Sequence, residues 1–409
     1  MKPRRQGGQV LLALLLLGLV LGAGSLLASG ALRARAEAQA HARSIAALAE
    51  ARSALIGYAI SYAERHPDAG YGFLPCPDRD NDGSTDLGAC GARGHFTLGR
   101  LPWRTLGLPE LRDGWGECLW YAVAGSIKHN PKPLSLNWDS PGQFEPLGPN
   151  REPLRLQTTD GRAVAVLFAP GPARRGQARA GRRPATCSGT DASDLPQYLD
   201  HPYPLGGTTP FTVMQGGEPA DAAGDSNDLL AWIGVDEIFA AWRRRSDHTA
   251  YLDNLLTRAA GALTARLARA DRDAWLDAHA TRIGMLHAAP LPPAAALGLP
   301  APERGEVDQW RDQMHFAACP AGDTCITVTR THGTEPCSAV LGFAGERVPS
   351  GPAAQRRSTA TQRADPAQYF EGVNAPGFAQ GIPAFEGVAT VPHRRDNHPG
   401  TDDVILCLP

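Results

Sequence analysis

The chain has 409 residues and a formal net charge of −2. That length allows two or three domains, and the balance excludes the excess of positive charge that marks a nucleic-acid-binding surface. Glycine (45) and proline (35) are abundant, which predicts a loop-rich fold.

The N-terminus, "MKPRRQGGQVLLALLLLGLVLGAGSLLASG", carries Lys2, Arg4 and Arg5 before an uncharged stretch from Gln9 to Ala31. Roughly 20 apolar residues span a bilayer, so a transmembrane segment is expected at 10–30. Basic residues ahead of it predict a cytoplasmic N-terminus and an exported remainder. The alternative is a cleaved secretory signal ending near Ala28-Ser29-Gly30.

The apolar stretch runs on into "ALRARAEAQAHARSIAALAEARSALIGYAISYAERHPDAG", rich in good helix formers. Ile45, Leu48, Leu55, Ile56, Ala59 and Tyr62 or Ala63 form an apolar stripe at helical spacing. Pro67 and Gly70 end it. One helix of about 58 residues, near 87 Å long, is expected over 9–66.

This layout resembles the N-terminal helix of type IV pilins and type II secretion pseudopilins. The resemblance implies a basic leader over 1–8, cut by a prepilin peptidase after Gly7 or Gly8, with methylation of the new N-terminus. It also implies packing of the apolar half against sister subunits. Major subunits carry a glutamate a few residues into the mature chain, where this sequence has Leu12 or Ala13. The departure points to a minor subunit.

Eight cysteines follow the apolar segment: Cys76, Cys90, Cys118, Cys187, Cys319, Cys325, Cys337 and Cys407. An even set in an exported chain predicts disulfides. Cys76–Cys90 and Cys319–Cys325 are the natural local pairs. Cys118–Cys187 and Cys337–Cys407 then remain, with connectivity left open by sequence alone.

Between the first two cysteines lies "LPCPDRDNDGSTDLGAC" over 74–90. Asp78, Asp80 and Asp82 stand at alternate positions, followed by Gly83, as at the start of an EF-hand calcium loop. The Ser84 carbonyl and Asp86 fall at the next two ligand positions. Ala89 stands where the bidentate glutamate belongs, so a structural rather than catalytic Ca²⁺ is expected, with a solvated Asp-Gly turn as the alternative. The block from Gly72 to Val123, "GFLPCPDRDNDG" through "GRLPWRTLGLPELRDGWGECLWYAV", is also similar to exported bacterial prepilin-like proteins. That likeness thins out towards Arg245. Within the block, Trp103, Trp115 and Trp120 read as core or loop anchors.

Four blocks recur in order. "DGWGECLWYAV" at 113–123 parallels "DQWRDQMHFAA" at 308–318, and "AVLFAPG" at 165–171 parallels "AVLGFAG" at 339–345. "DLPQYLD" at 194–200 parallels "DPAQYFE" at 365–371, and "SNDLLAWI" at 226–233 parallels "TDDVILCL" at 401–408. A duplicated module is expected. The first copy is a small antiparallel α+β head over 67–245, and the second is a shorter β-rich module over 304–409. Between them, 246–303 reads as a helical section and Pro/Ala linker. Cys337 and Cys407 are expected on neighbouring strands of one sheet.

Enzyme signatures are sparse. "GDSND" at 224–228 lacks the setting of a Gly-Asp-Ser hydrolase, and "PHRRDNH" at 392–398 reads as a solvated loop despite His393, His398 and Asp396. "RRGQARAGRRP" at 174–184 reads as an exposed basic loop, with nucleic acid not an expected partner. The expected whole is a non-enzymatic minor pilin- or pseudopilin-like subunit. It is anchored once in the bacterial inner membrane, with a periplasmic head, and joins or primes a filament. A signal-anchored periplasmic enzyme and a soluble secreted binding protein are the alternatives.

Overall fold

The computed structural model describes residues 7–67, 69–85, 88–148, 150–154, 156, 158–179, 187, 195–216, 226–348, 354–392 and 403–409. The side chains of 7–10, 20–29, 302 and 321 also lie outside the described set.

A single helix of 54 residues, Gly7–Ile60, opens the chain, with one further turn at Tyr62–Arg65. Its buried face is Ala40, Ser44, Ala47, Leu48, Ala51, Leu55, Tyr58 and Ala59, at intervals of three and four. Most of these residues are small, so the helix lies close to the protein beneath it. At Gly114 a Cβ would come within 1.9 Å of the Ala40 carbonyl oxygen, and the Gly114 N–H donates to Ser44 Oγ at 2.9 Å. Ile45, expected on the packed stripe, is 60 % exposed, while Leu48, Leu55, Ala59 and Tyr62 are buried.

The expected transmembrane span and the single-pass inner-membrane placement are corrected here. Among the described residues, no helix is long and apolar enough to cross a membrane.

The rest is α+β, with several small sheets. The first five-stranded sheet has the order Gly206–Gly207, Phe96–Arg100, Trp120–Val123, Ala165–Ala169, Leu229–Ile233, all antiparallel. Its three central strands are buried at every position, as expected for a sheet covered on both faces. The N-terminal helix packs across Ala165–Ala169 and Leu229–Ile233.

The second five-stranded sheet has the order Thr281–Ile283, Leu286–Pro290, Met314–Ala318, Ala339–Phe343, Val404–Leu408, again all antiparallel. Over four strands the two sheets share their order and their register; the fifth, edge strand comes from a different place in the chain. Trp120 lies opposite Arg100 and Phe168, as His315 lies opposite Pro290 and Gly342. Ala165 lies opposite Ile233, as Ala339 lies opposite Leu408. The helix His248–Leu267 touches the last strand of the second sheet, as the N-terminal helix touches the last strand of the first.

Residues 246–303, expected as a helical section and Pro/Ala linker, hold the helices His248–Leu267 and Arg272–His279. They supply a central strand of the second sheet and bury Leu291, Ala294, Leu297 and Leu299. The Pro/Ala composition misleads because these alanines and leucines turn inward against the Ala301–Trp310 helix, where Asp308 accepts the Ala294 N–H at 2.8 Å. One continuous core joins the N-terminal helix, the first sheet and the inner face of the second; a smaller one lies on the second sheet's outer face.

Four disulfides close the fold: Cys76–Cys90, Cys118–Cys187, Cys319–Cys325 and Cys337–Cys407. Cys337 does not share a sheet with Cys407. It ends the Gly333–Cys337 strand of a separate three-stranded sheet, so its disulfide ties two sheets together.

Candidate metal centre

The acidic loop is fixed at both ends before any ion is considered. Asp78 makes a pair of backbone hydrogen bonds with Arg100 at the end of the first sheet, at 3.0 and 2.7 Å. The Cys76–Cys90 disulfide closes the loop. Lys128, fully buried, donates its Nζ protons to the Cys90 and Ala92 carbonyls at 2.7 and 2.8 Å. Burial pushes the Lys128 ammonium down to about 8. Thr85 Oγ1 donates to the Cys76 carbonyl at 2.9 Å, and the Thr85 N–H donates to Thr105 Oγ1 at 2.8 Å.

Within this frame the chain folds tightly around Asp78. Its carboxylate accepts the N–H groups of Asn81, Asp82 (3.2 Å) and Gly83 (2.6 Å). Asn81 and Gly83 take positive φ, 66° and 88°. Glycine at 83 has two reasons. Its φ is costly for a residue with a Cβ, and a Cβ there would lie 2.5 Å from the Trp103 ring.

These turns bring Asp78, Asp80 and Asp82 together, with one carboxylate oxygen from each within 4.8 Å of the others. Two oxygens bound to one Ca²⁺ at 2.3–2.6 Å stand at most about 5 Å apart, so the spacing fits. Asp78 is buried, whereas Asp80 and Asp82 are exposed. Burial pushes the Asp78 carboxyl up to about 7 against the lowering by the Gly83 and Asn81 N–H groups, and the charges of Asp82 and Asp80 add to the rise. A cation between them would favour the ionised form. The three side chains are all hard oxygen donors, the set that suits Ca²⁺ over softer metals. The Ser84 N–H donates to Asp82 Oδ1 at 2.6 Å, which positions Ser84 next to the cluster. Asp86 lies outside the described residues.

The other sequence candidates fall elsewhere. Ser226 Oγ accepts the Asp228 N–H at 3.2 Å, forming a turn into a strand; Gly224 and Asp225 lie outside the described residues. His393, Asp396 and His398 also lie outside them, as do Arg182 and Arg183. The basic loop is not simply exposed, because Arg179 is buried and Arg174 pairs with Asp200 at 3.6 Å. Trp120 is fully buried, and Trp103 packs at the core margin over the acidic loop.

Sequence reading missed Arg179 and Arg357, two buried side chains that each make several hydrogen bonds. A recurring Gln-x-Arg at 177–179 and 355–357, ahead of Gln-Tyr at 197–198 and 368–369, was the available signal.

No known protein family, curated protein or solved structure matches the chain.

Proposed function

We propose that this chain is a non-catalytic assembly subunit of the minor pilin or pseudopilin type. In this reading its N-terminal helix docks on equivalent helices of sister subunits. Its two-module head makes the specific contacts, and the acidic loop takes a structural Ca²⁺. Gly7 or Gly8 ends a leader removed by a prepilin peptidase.

The observation that supports this reading is the division of labour along one helix. Its second half is embedded in the head. The leucines from Leu11 to Leu19 are 55–71 % exposed on a continuous helical rod. Exposed apolar surface on that scale is unusual on a monomer and marks an interaction surface. A helix with the same apolar run is complementary to it by ridge-into-groove packing.

A photo-crosslinking side chain at Leu12 or Leu16, introduced in the native host, tests this. The expected products are adducts to the helical N-termini of pilin-like chains, absent when the probe is placed at exposed Arg363. A chain that stays uncrosslinked at Leu12 and Leu16 overturns the reading.

A further inference from the structure

The two modules repeat a buried polar staple as well as a sheet. In the first, Arg179 donates Nε to the Gln197 carbonyl (2.6 Å), Nη1 to the Gly171 carbonyl (2.8 Å) and Nη2 to Gln177 Oε1 (2.6 Å). In the second, Arg357 donates Nε to the Gln368 carbonyl (2.6 Å), Nη1 to the Gly345 carbonyl (3.5 Å) and Nη2 to Gln355 Oε1 (2.8 Å). The guanidinium groups lie over Tyr198 and Tyr369 respectively. Each staple fastens the irregular return loop of its module to the sheet.

The copies differ in where the counter-charge comes from. Arg179 has Glu117 of its own module at 3.8 Å, both side chains being under 5 % exposed. The residue equivalent to Glu117 is Asp312, three positions before His315 as Glu117 is three before Trp120. Asp312 turns instead to the first module, where Asn137 Nδ2 donates to it at 2.7 Å and Ser135 Oγ at 3.2 Å. Arg357 takes its carboxylate from the first module in return. Its Nη1 donates to Asp139 Oδ2 at 2.9 Å, beside a Gln313 Nε2 donor at 2.8 Å.

We propose that Asp139, Asp312 and Arg357 form a proton-responsive latch that holds the second module on the first. Two carboxylates face across the module boundary, buried Asp139 and half-buried Asp312, and one buried guanidinium, Arg357, pairs with Asp139. This stands independently of the filament reading.

The surrounding groups do not neutralise the excess. Asp236 pairs with Arg347 at 3.5 Å, and Arg243 pairs with Glu346, both across the same boundary. His315 is buried beside Tyr369 and Phe370; desolvation and Arg357 push it down to about 3, so it is neutral. Tyr369 is pushed up by burial and then by Asp312 and Asp139, against Arg357 and Arg363, and is also neutral. Burial, followed by the charge of Asp139, pushes Asp312 up to about 6. The docked state therefore holds a proton that the open chain releases. The Asp312 contribution to the latch is complete below about pH 4 and is lost as pH rises through 6.

Urea unfolding of the full chain between pH 5 and 7 tests this. Asp312→Asn mimics the protonated acid, so it should fold at least as well as wild type at pH 7. Its folding constant should depend on pH by up to tenfold less per unit. An unchanged slope overturns the proton assignment. Asp139→Asn and Arg357→Lys, singly and together, test the contact itself; the lysine keeps the charge and loses the fork. At pH 7 the double variant should deviate from additivity by about tenfold in the folding constant. Additive losses overturn the latch.

Discussion

At the residue scale, Asp78 concentrates the chemistry. Its folded carboxyl sits near 7, above the usual carboxylate value, so the native state is favoured by protonation. That contribution is complete at low pH and is lost as pH rises towards 7. Calcium reverses the preference, since it binds the ionised form. We predict that millimolar Ca²⁺ raises the melting temperature at pH 7.5 and has little effect at pH 5. Asp78→Asn should abolish the response, whereas an equal Ca²⁺ effect at both pH values would contradict the site. Gly83→Ala should cost roughly 1–3 kcal/mol through its φ of 88° and the Trp103 contact, measured by urea unfolding. Arg179→Met should cost about 3–5 kcal/mol, because it removes one member of a buried ion pair together with the donor to the Gly171 and Gln197 carbonyls. The acidic cluster of Asp78, Asp80 and Asp82 was legible in the sequence because its members are local. The arginine staples were not, because their acceptors are backbone carbonyls brought in from distant loops.

At the element scale, the N-terminal helix has two halves in different surroundings, one packed on the head from Ala40 to Ala59 and one exposed from Leu11 to Leu19. Leu55 is fully buried against the first sheet, so Leu55→Ala should cost about 2–5 kcal/mol of head stability. Leu15 is 62 % exposed, so Leu15→Ala should leave the urea midpoint unchanged and reduce only crosslinking between chains. The helix itself was legible, because helix formers and a three-four spacing of apolar residues coincide. Its membrane role was misread: among the described residues no helix is long and apolar enough to cross a membrane. The strands at 120–123, 165–169 and 229–233 were readable as short apolar runs. The Leu286–Pro290 strand was hidden by the proline and alanine around it, whose packing depends on the Ala301–Trp310 helix behind.

At the scale of the whole molecule, the chain is two sheets of one design set against a shared core. Sequence order alone carried part of that symmetry, through the paired blocks at 113–123 and 308–318 and at 165–171 and 339–345. The module boundary was not readable, because the interface is built from Trp138, Phe239, Trp242, Trp310 and Phe343, which look like ordinary core residues in either half. A shared aromatic core predicts that both modules unfold together. The most direct measurement of the assembly reading is the intact mass and N-terminal sequence of the mature protein isolated from its host. A start at Gly8 or Gln9, with an N-methyl group, is the predicted result. A start at Met1, or near Ala31 after signal cleavage, would contradict it.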